Sequence, residues 1–151
     1  MNIDFPAQLL QELGQNLGIN NLSFDENQCC HLTINQDTPV SIRRDDDRQC
    51  FVLLGAIAEK NTWPLTEDLM QLALRQNLLS LNNPGPTIGW DSKIGLIGYV
   101  FIAYEGVSIE SLQSKIADLT DWLNSWPQAL NPIKTDQNKE TIPFDIMMKR
   151  V

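Results

Sequence analysis

A chain of 151 residues is long enough for one domain with a proper core and short for two. Its 42% apolar and 20% charged residues are those of a globular protein rather than a disordered one. Nineteen acidic against eleven basic residues leave a net charge of −8, which argues against nucleic-acid binding and against adhesion to anionic membranes. No apolar run nears the roughly 20 residues of a membrane span, so no membrane insertion is expected. The opening "MNIDFPAQLL" lacks a basic segment followed by an apolar one, so no secretory leader is expected. Three cysteines, two of them adjacent, make a poor disulfide framework and point to a reducing, cytoplasmic compartment.

The first element is a helix. "DFPAQLLQELGQNLGI" spaces Leu9, Leu10, Leu13 and Leu17 for one face, with Asp4 as N-cap, Pro6 in the first turn and Gly18 as the stop. Gly14 inside it costs roughly 1 kcal/mol relative to alanine, so a close neighbour is expected there.

From Leu22 to Ala58 the period changes to two. "LSF", "CCHLTI", "VSIRR" and "QCFVLLGAIA" are separated by polar turns and form an antiparallel meander. The last of these is apolar on both faces and belongs in the middle of the sheet.

"NTWPLTEDLMQLALRQNLLSL" is a second helix, opened by Pro64 and ended by "NNPGP". It carries two apolar stripes, Leu65/Leu69/Leu72/Leu79 and Met70/Leu74/Leu78/Leu81. A helix wetted along one side needs only one, so it is expected to be covered on two sides, by the sheet and by a second subunit.

Two more strands, "TIGW" and "LIGYVFIAY", flank the turn at Asp91-Ser92-Lys93. The last helix begins at Ser108, carries a stripe from Ile109 through Leu112, Ile116, Leu119 and Leu123 to Trp126, and is expected to end at Pro127. The order α-β-β-β-α-β-β-α is an α+β fold with a twisted antiparallel sheet. Residues 1–126 form the domain, and 127–151 are expected to be a tail that is flexible or depends on a partner.

Chemistry finds little footing. Cys29 and His31 share one strand face and Cys30 takes the other, so the cluster cannot chelate an ion as a C-x-x-C turn does, and no second ligand pair exists. No metal or cofactor is expected. A nucleophile would need His31, the only histidine, and nothing in sequence orients it. Asp45-Asp46-Asp47 lacks the spacing and glycine of a calcium loop, and "NPGPTIG" lacks the lysine of a phosphate loop. No catalytic residues are expected, and the expectation is a protein that is not an enzyme. A thiol-dependent enzyme or redox sensor using Cys29, Cys30 and Cys50 is the alternative from another class.

Four segments in this order resemble the class I chaperones of bacterial type III secretion, the family of the Tir chaperone: "LLQELGQNLGI", "LSFDENQCCHLTI", "FVLLGAIAE" and "LLSLNNPGPTIGWDSKIGLIGYVFI". The resemblance covers about residues 3 to 126. It implies an acidic homodimeric chaperone in the bacterial cytoplasm that binds the N-terminal region of one or more secreted effectors. The effector stays soluble, non-globular and fit for export, which ties the protein to virulence. The resemblance assigns effector binding to Leu10, Leu13, Leu17, Phe24, Ile34, Val40 and Ile42. It assigns the dimer contact to Leu69, Leu72, Leu79, Ile88 and Trp90, with the choice between the two stripes of the second helix left open. The secretion ATPase is a further partner on this reading, and a regulatory adaptor of the secretion apparatus is a further alternative. Two features depart from the family pattern: the long tail after Pro127 and the charged strand "QDTPVSIRRDDD".

Overall fold

The structure is a computed structural model that describes the backbone of residues 3–59 and 66–135 and the side chains of 3–57 and 66–126. Elements follow as α1 (Phe5–Leu17), β1 (Cys29–Ile34), β2 (Thr38–Asp45), β3 (Cys50–Glu59), α2 (Glu67–Leu79), β4 (Thr87–Asp91), β5 (Gly95–Ala103) and α3 (Ile109–Thr135). The α+β order matches the expectation. The strands make one five-stranded antiparallel sheet in the order β1-β2-β3-β5-β4, with the doubly apolar β3 in the centre. "LSF" is not a strand: Leu22 and Phe24 are half-buried in an irregular segment that a turn at 26–28 separates from β1. The chain divides into two compact units, Met1–Gly55 with Val100–Thr120 and Ala56–Tyr99 with Asp121–Val151.

In the first unit the ends of α1 are set by local chemistry. The Asp4 carboxylate accepts the Ala7 N–H at 3.3 Å, and Gly18 closes the helix at φ +74°, a left-handed conformation that favours glycine. Gly14 is needed for proximity. A Cβ there would lie 2.8 Å from both the Ile19 carbonyl oxygen and the Leu22 Cβ, so the chain folds back against the helix at this point. Leu9, Leu10 and Leu13 are buried, at about 1.5–3 kcal/mol each.

β1 and β2 alternate as a sheet with one covered face. Cys30, Leu32, Val40 and Ile42 are buried, whereas His31, Thr33 and Arg43 point outward. Phe51 and Leu53 of β3 continue the buried row, joined by Leu112, Ile116 and Leu119 of α3. The β1–β2 turn places Asn35 and Gln36 at φ +53° and +69°, where Gln lacks the local hydrogen bonding that helps Asn tolerate this region. Gln36→Gly is therefore expected to stabilise the chain by about 0.5–1 kcal/mol, read as a shifted denaturant midpoint at constant slope.

In the second unit Thr66 caps α2 by accepting the Leu69 N–H at 3.1 Å. Glu67 and Asp68 favour the positive end of the helix dipole. Pro64 and Leu65 lie outside the described residues. β4 and β5 pair from Thr87↔Tyr99 to Asp91↔Gly95, with Asp91 accepting the Lys93 N–H across the turn. Gly98 seats the Trp122 ring, which a Cβ would strike.

α3 corrects one expectation. It does not stop at Pro127 but runs on to Thr135, so the 126/127 boundary falls inside a helix. Proline removes one backbone donor and costs a helix interior about 3 kcal/mol, which is a penalty and not a barrier. Leu123 and Trp126, both buried, anchor the turn before it, and the good helix formers Gln128, Ala129 and Leu130 follow.

Candidate functional site

Two surfaces stand out, one in each unit. In the first unit a charge network sits on an aromatic base. Arg44 of β2 donates from Nη1 to Asp4 at 3.0 Å, and from Nε and Nη2 to Asp46 at 3.2 and 2.9 Å. The Tyr104 hydroxyl donates to Asp46 at 2.8 Å, and the guanidinium lies 5.4 Å from the Phe24 ring centre. Only 12% of the Arg44 side chain is exposed. Phe51 carries the network, stacked with Phe24 and edge-on to Tyr104, which in turn meets Phe5.

The electrostatics follow from these pairs. Hydrogen bonds from Arg44 hold the Asp4 and Asp46 carboxyls below their usual range, and those carboxylates hold the guanidinium charged. Burial, followed by the bond to Asp46, pushes the Tyr104 hydroxyl up. The charged strand that departs from the family pattern is thus partly accounted for: one of its arginines is spent inside the fold.

Beside this network opens a cleft of about 950 Å³, walled by residues 3–6 on one side and by Arg48, Gln49 and 103–105 on the other. The Tyr104 N–H donates to the Gln49 carbonyl at 2.9 Å and ties the second wall together. Ile3 and Phe5 present apolar surface at its mouth.

In the second unit, α2 and β4 form a bare apolar face. Leu69 and Ala73 are the buried side of α2, while Met70, Leu74 and Leu81 are exposed, Leu74 to 69%. Trp90 of β4 is 57% exposed, and a groove of about 170 Å³ between helix and strand is lined by Met70, Leu74, Ile88 and Trp90 among others. Asn77 clips the two elements: its amide donates to the Ile88 carbonyl at 3.0 Å and accepts the Ile88 N–H at 2.8 Å.

The residues singled out in sequence distribute as follows. Leu10, Leu13, Val40 and Ile42 are core of the first unit, Phe24 and Ile34 are half-buried, and Leu17 is exposed at the end of α1. Leu69 and Ile88 are core of the second unit, Leu72 and Leu79 are half-buried, and Trp90 is exposed. Only the exposed and half-buried members present surface in this conformation. Ile3, Phe5, Ile19, Ile94 and Phe101 are exposed as well and stand outside the residues assigned from sequence. Phe5 keeps helical spacing with Leu9 and Leu13 and Phe101 alternates with Tyr99, whereas Ile3, Ile19 and Ile94 lie outside the periodic runs. Met70, Leu74 and Leu81 were marked by the second stripe of α2.

The cysteine–histidine cluster stays in the scaffold. Cys30 and Cys50 are buried, Cys29 is half-buried, and all three are free. Burial pushes all three thiols above their ordinary range, which leaves little thiolate at neutral pH. His31 meets Ser41 at 2.7 Å on the open face. Among the described residues, no group of three His, Cys, Asp or Glu could hold a metal ion, and no helix is long and apolar enough to cross a membrane.

A β1–β2 hairpin covered on one face, and apolar side chains left bare on α1, α2 and β4, are what a protein that binds other chains presents. The chain belongs to the Tir chaperone protein (CesT) family, whose profile matches residues 8–118, and it is a type III secretion chaperone. Solved structures agree. It is similar at 26% identity and a TM-score of 0.71 to a chain of the HopA1–SchA chaperone–effector complex, covering 84% of this chain and 99% of that one. It also resembles a chain of the ExsC–ExsE complex in fold, with a TM-score of 0.72 and 19% identity over 82% of this chain and 91% of that one. A third likeness of fold is to the Yersinia pestis type III secretion chaperone SycH in complex with a stable fragment of YscM2, with a TM-score of 0.61 and 18% identity over 80% of this chain and 98% of that one. Among curated proteins none matches the chain.

Proposed function

We propose that the chain works in the bacterial cytoplasm as a homodimer that holds the N-terminal region of a secreted effector, without catalysing a reaction. The observation that carries this is the mismatch between apolar surface and cover. Met70, Leu74, Leu81 and Trp90 stay exposed on one unit, and Ile3, Phe5, Leu17, Ile19 and Phe101 on the other. Water penalises such area at about 25 cal/mol per Å², so a chain that keeps it gains by covering it with partners.

The two faces suit different partners. The α2–β4 face combines a straight stripe with a Trp anchor and suits a second copy, which brings the same patch to a two-fold axis. The face of the first unit is broken up by turns and suits an extended segment. That segment can hydrogen-bond along the free edge of β1 and place alternate side chains against Phe24, Ile34 and the end of α1. Leu10, Leu13, Val40 and Ile42 then act from beneath, by shaping this surface. Apolar cargo side chains held in this way cannot collapse into a core of their own, which keeps the cargo threadable.

Co-expression with secreted proteins of the same bacterium tests this. The expected product is a complex of two chaperone chains with one cargo chain, and the cargo's N-terminal part alone should suffice to form it. Within the complex the cargo amides should exchange quickly wherever they lie off the β1 edge. A cargo that binds only through its folded C-terminal part, or that folds its N-terminal part into a protected globule on the chaperone, would overturn the reading.

A further inference from the structure

We infer that the cleft of the first unit is a subsite for a basic residue set among apolar ones in the bound effector segment, an inference that rests on the chaperone reading. The side chains lining the cleft differ sharply in what they show to solvent. Asp4 and Asp46 keep 56% and 55% of their side-chain surface exposed, whereas the arginine between them is largely sunk. Glu105 lines the same cleft, is exposed, and has no ion-pair partner among the described residues. Arg48 is the one exposed cation of the lining. Its charge is engaged by Asp45 at 3.5 Å, and its guanidinium lies 5.9 Å from the Phe101 ring centre. An entering group therefore meets the unpaired carboxylate of Glu105, with the exposed oxygens of Asp4 and Asp46, whose charge is shared with Arg44, beside it, and the chain's net charge of −8 favours the same sign.

The rest of the lining offers apolar surface: Ile3, Phe5, Ala103 and the Tyr104 ring. A lysine or arginine fits this pairing because its methylene stem lies along apolar surface while its head reaches an acidic rim. A neighbouring Leu, Ile or Phe of the same segment would cover Ile3 and Phe5. A purely apolar segment would leave Glu105 dehydrated beside it, and an acidic one would be repelled, so the cleft discriminates by charge and sets the register of the segment.

The probe is the hexapeptide acetyl-Gly-Leu-Arg-Phe-Ile-Gly-amide, titrated into the full-length 15N-labelled chain. A second peptide carries citrulline, the neutral isostere, in place of arginine. The arginine peptide is expected to shift the amides of Gln49, Tyr104 and Glu105 saturably. Citrulline should weaken binding about fivefold, as fits the loss of an exposed ion pair. Raising salt to about 0.5 M should weaken the arginine peptide and leave the citrulline peptide unchanged. Glu105→Lys, on an exposed residue without a partner, should abolish the preference for arginine while the spectrum stays folded. Equal binding of the two peptides, or saturable shifts confined to the α2–β4 groove, would overturn the inference. Co-elution of the wild-type chain with its cargo is measured in parallel and reports on the chaperone reading alone, so the two can fail separately.

Discussion

Leu74→Asp is expected to convert the chain from a dimer to a monomer while leaving each chain folded. Leu74 is exposed in the single chain, so an aspartate there stays hydrated, and the change costs only the helix propensity difference of about 0.5 kcal/mol. In a dimer built on the α2–β4 face the same carboxylate is trapped against Met70 and Trp90 of the partner patch. Burying an unpaired charge in an apolar contact costs several kcal/mol, which raises the dimer Kd by about 100-fold or more. Light scattering over a concentration series reads this directly. Leu69→Asp is the control: Leu69 is core, so that variant should lose its cooperative unfolding transition instead of merely its partner. A Leu74→Asp chain that keeps the dimer mass would place the interface elsewhere.

Arg44→Met is expected to cost about 2–3 kcal/mol at pH 7, toward the low end for breaking a buried ion pair because the two carboxylates left behind can rehydrate. Methionine keeps the apolar stem against Phe24 and removes the cation, so the loss isolates the charge network. Tyr104→Phe removes one bond to Asp46 and should cost only about 1 kcal/mol.

The pH dependence separates this effect from packing. Asp4 and Asp46 titrate below their ordinary 3.8 in the folded chain. Their contribution is therefore fully present above the unfolded carboxylate pKa and is lost as pH falls through the lowered folded values. Wild type and Arg44→Met should differ by a constant amount from about pH 5 to 8, and the gap should close below about pH 4. Denaturant midpoints across that series measure it. A gap that persists unchanged at pH 2 would mean the variant acts through packing alone.

What the sequence discloses and what it conceals divide along a physical line. α1 was legible end to end because its caps, Asp4 and Gly18, and its leucine spacing are local. The central place of β3 was legible from a strand apolar on both faces, although only one row, Phe51, Leu53 and Ile57, is buried, whereas Val52 and Leu54 are half-buried and Ala56 is exposed. The bare stripe of α2 was half-legible: a surplus of leucines was plain, but which stripe met the sheet depends on how the helix is rotated about its axis. Leu10, Leu13 and Leu17 lie on one helical stripe, yet only Leu17, the last residue of the helix, is exposed, and spacing alone does not reveal where cover along a stripe stops. The Arg44–Asp4 pair joins residues 40 apart in sequence, and no pattern of spacing forecasts it. Pro127 misled because a breaker's cost is local, whereas the packing that outweighs it is not.

The clip from Asn77 to Ile88 has a consequence for how large an assembly of this protein can grow. A side-chain amide there occupies the N–H and C=O of Ile88, so that the margin of the sheet at β4 is obstructed from within at this residue. β1, at the opposite end of the strand order, has no strand on its far side among the described residues. Sheets with two open margins can add neighbours indefinitely and make fibres. With the β4 margin obstructed at Ile88, strand addition on the β1 side alone would leave open-ended growth fewer routes than a sheet with two clear margins offers.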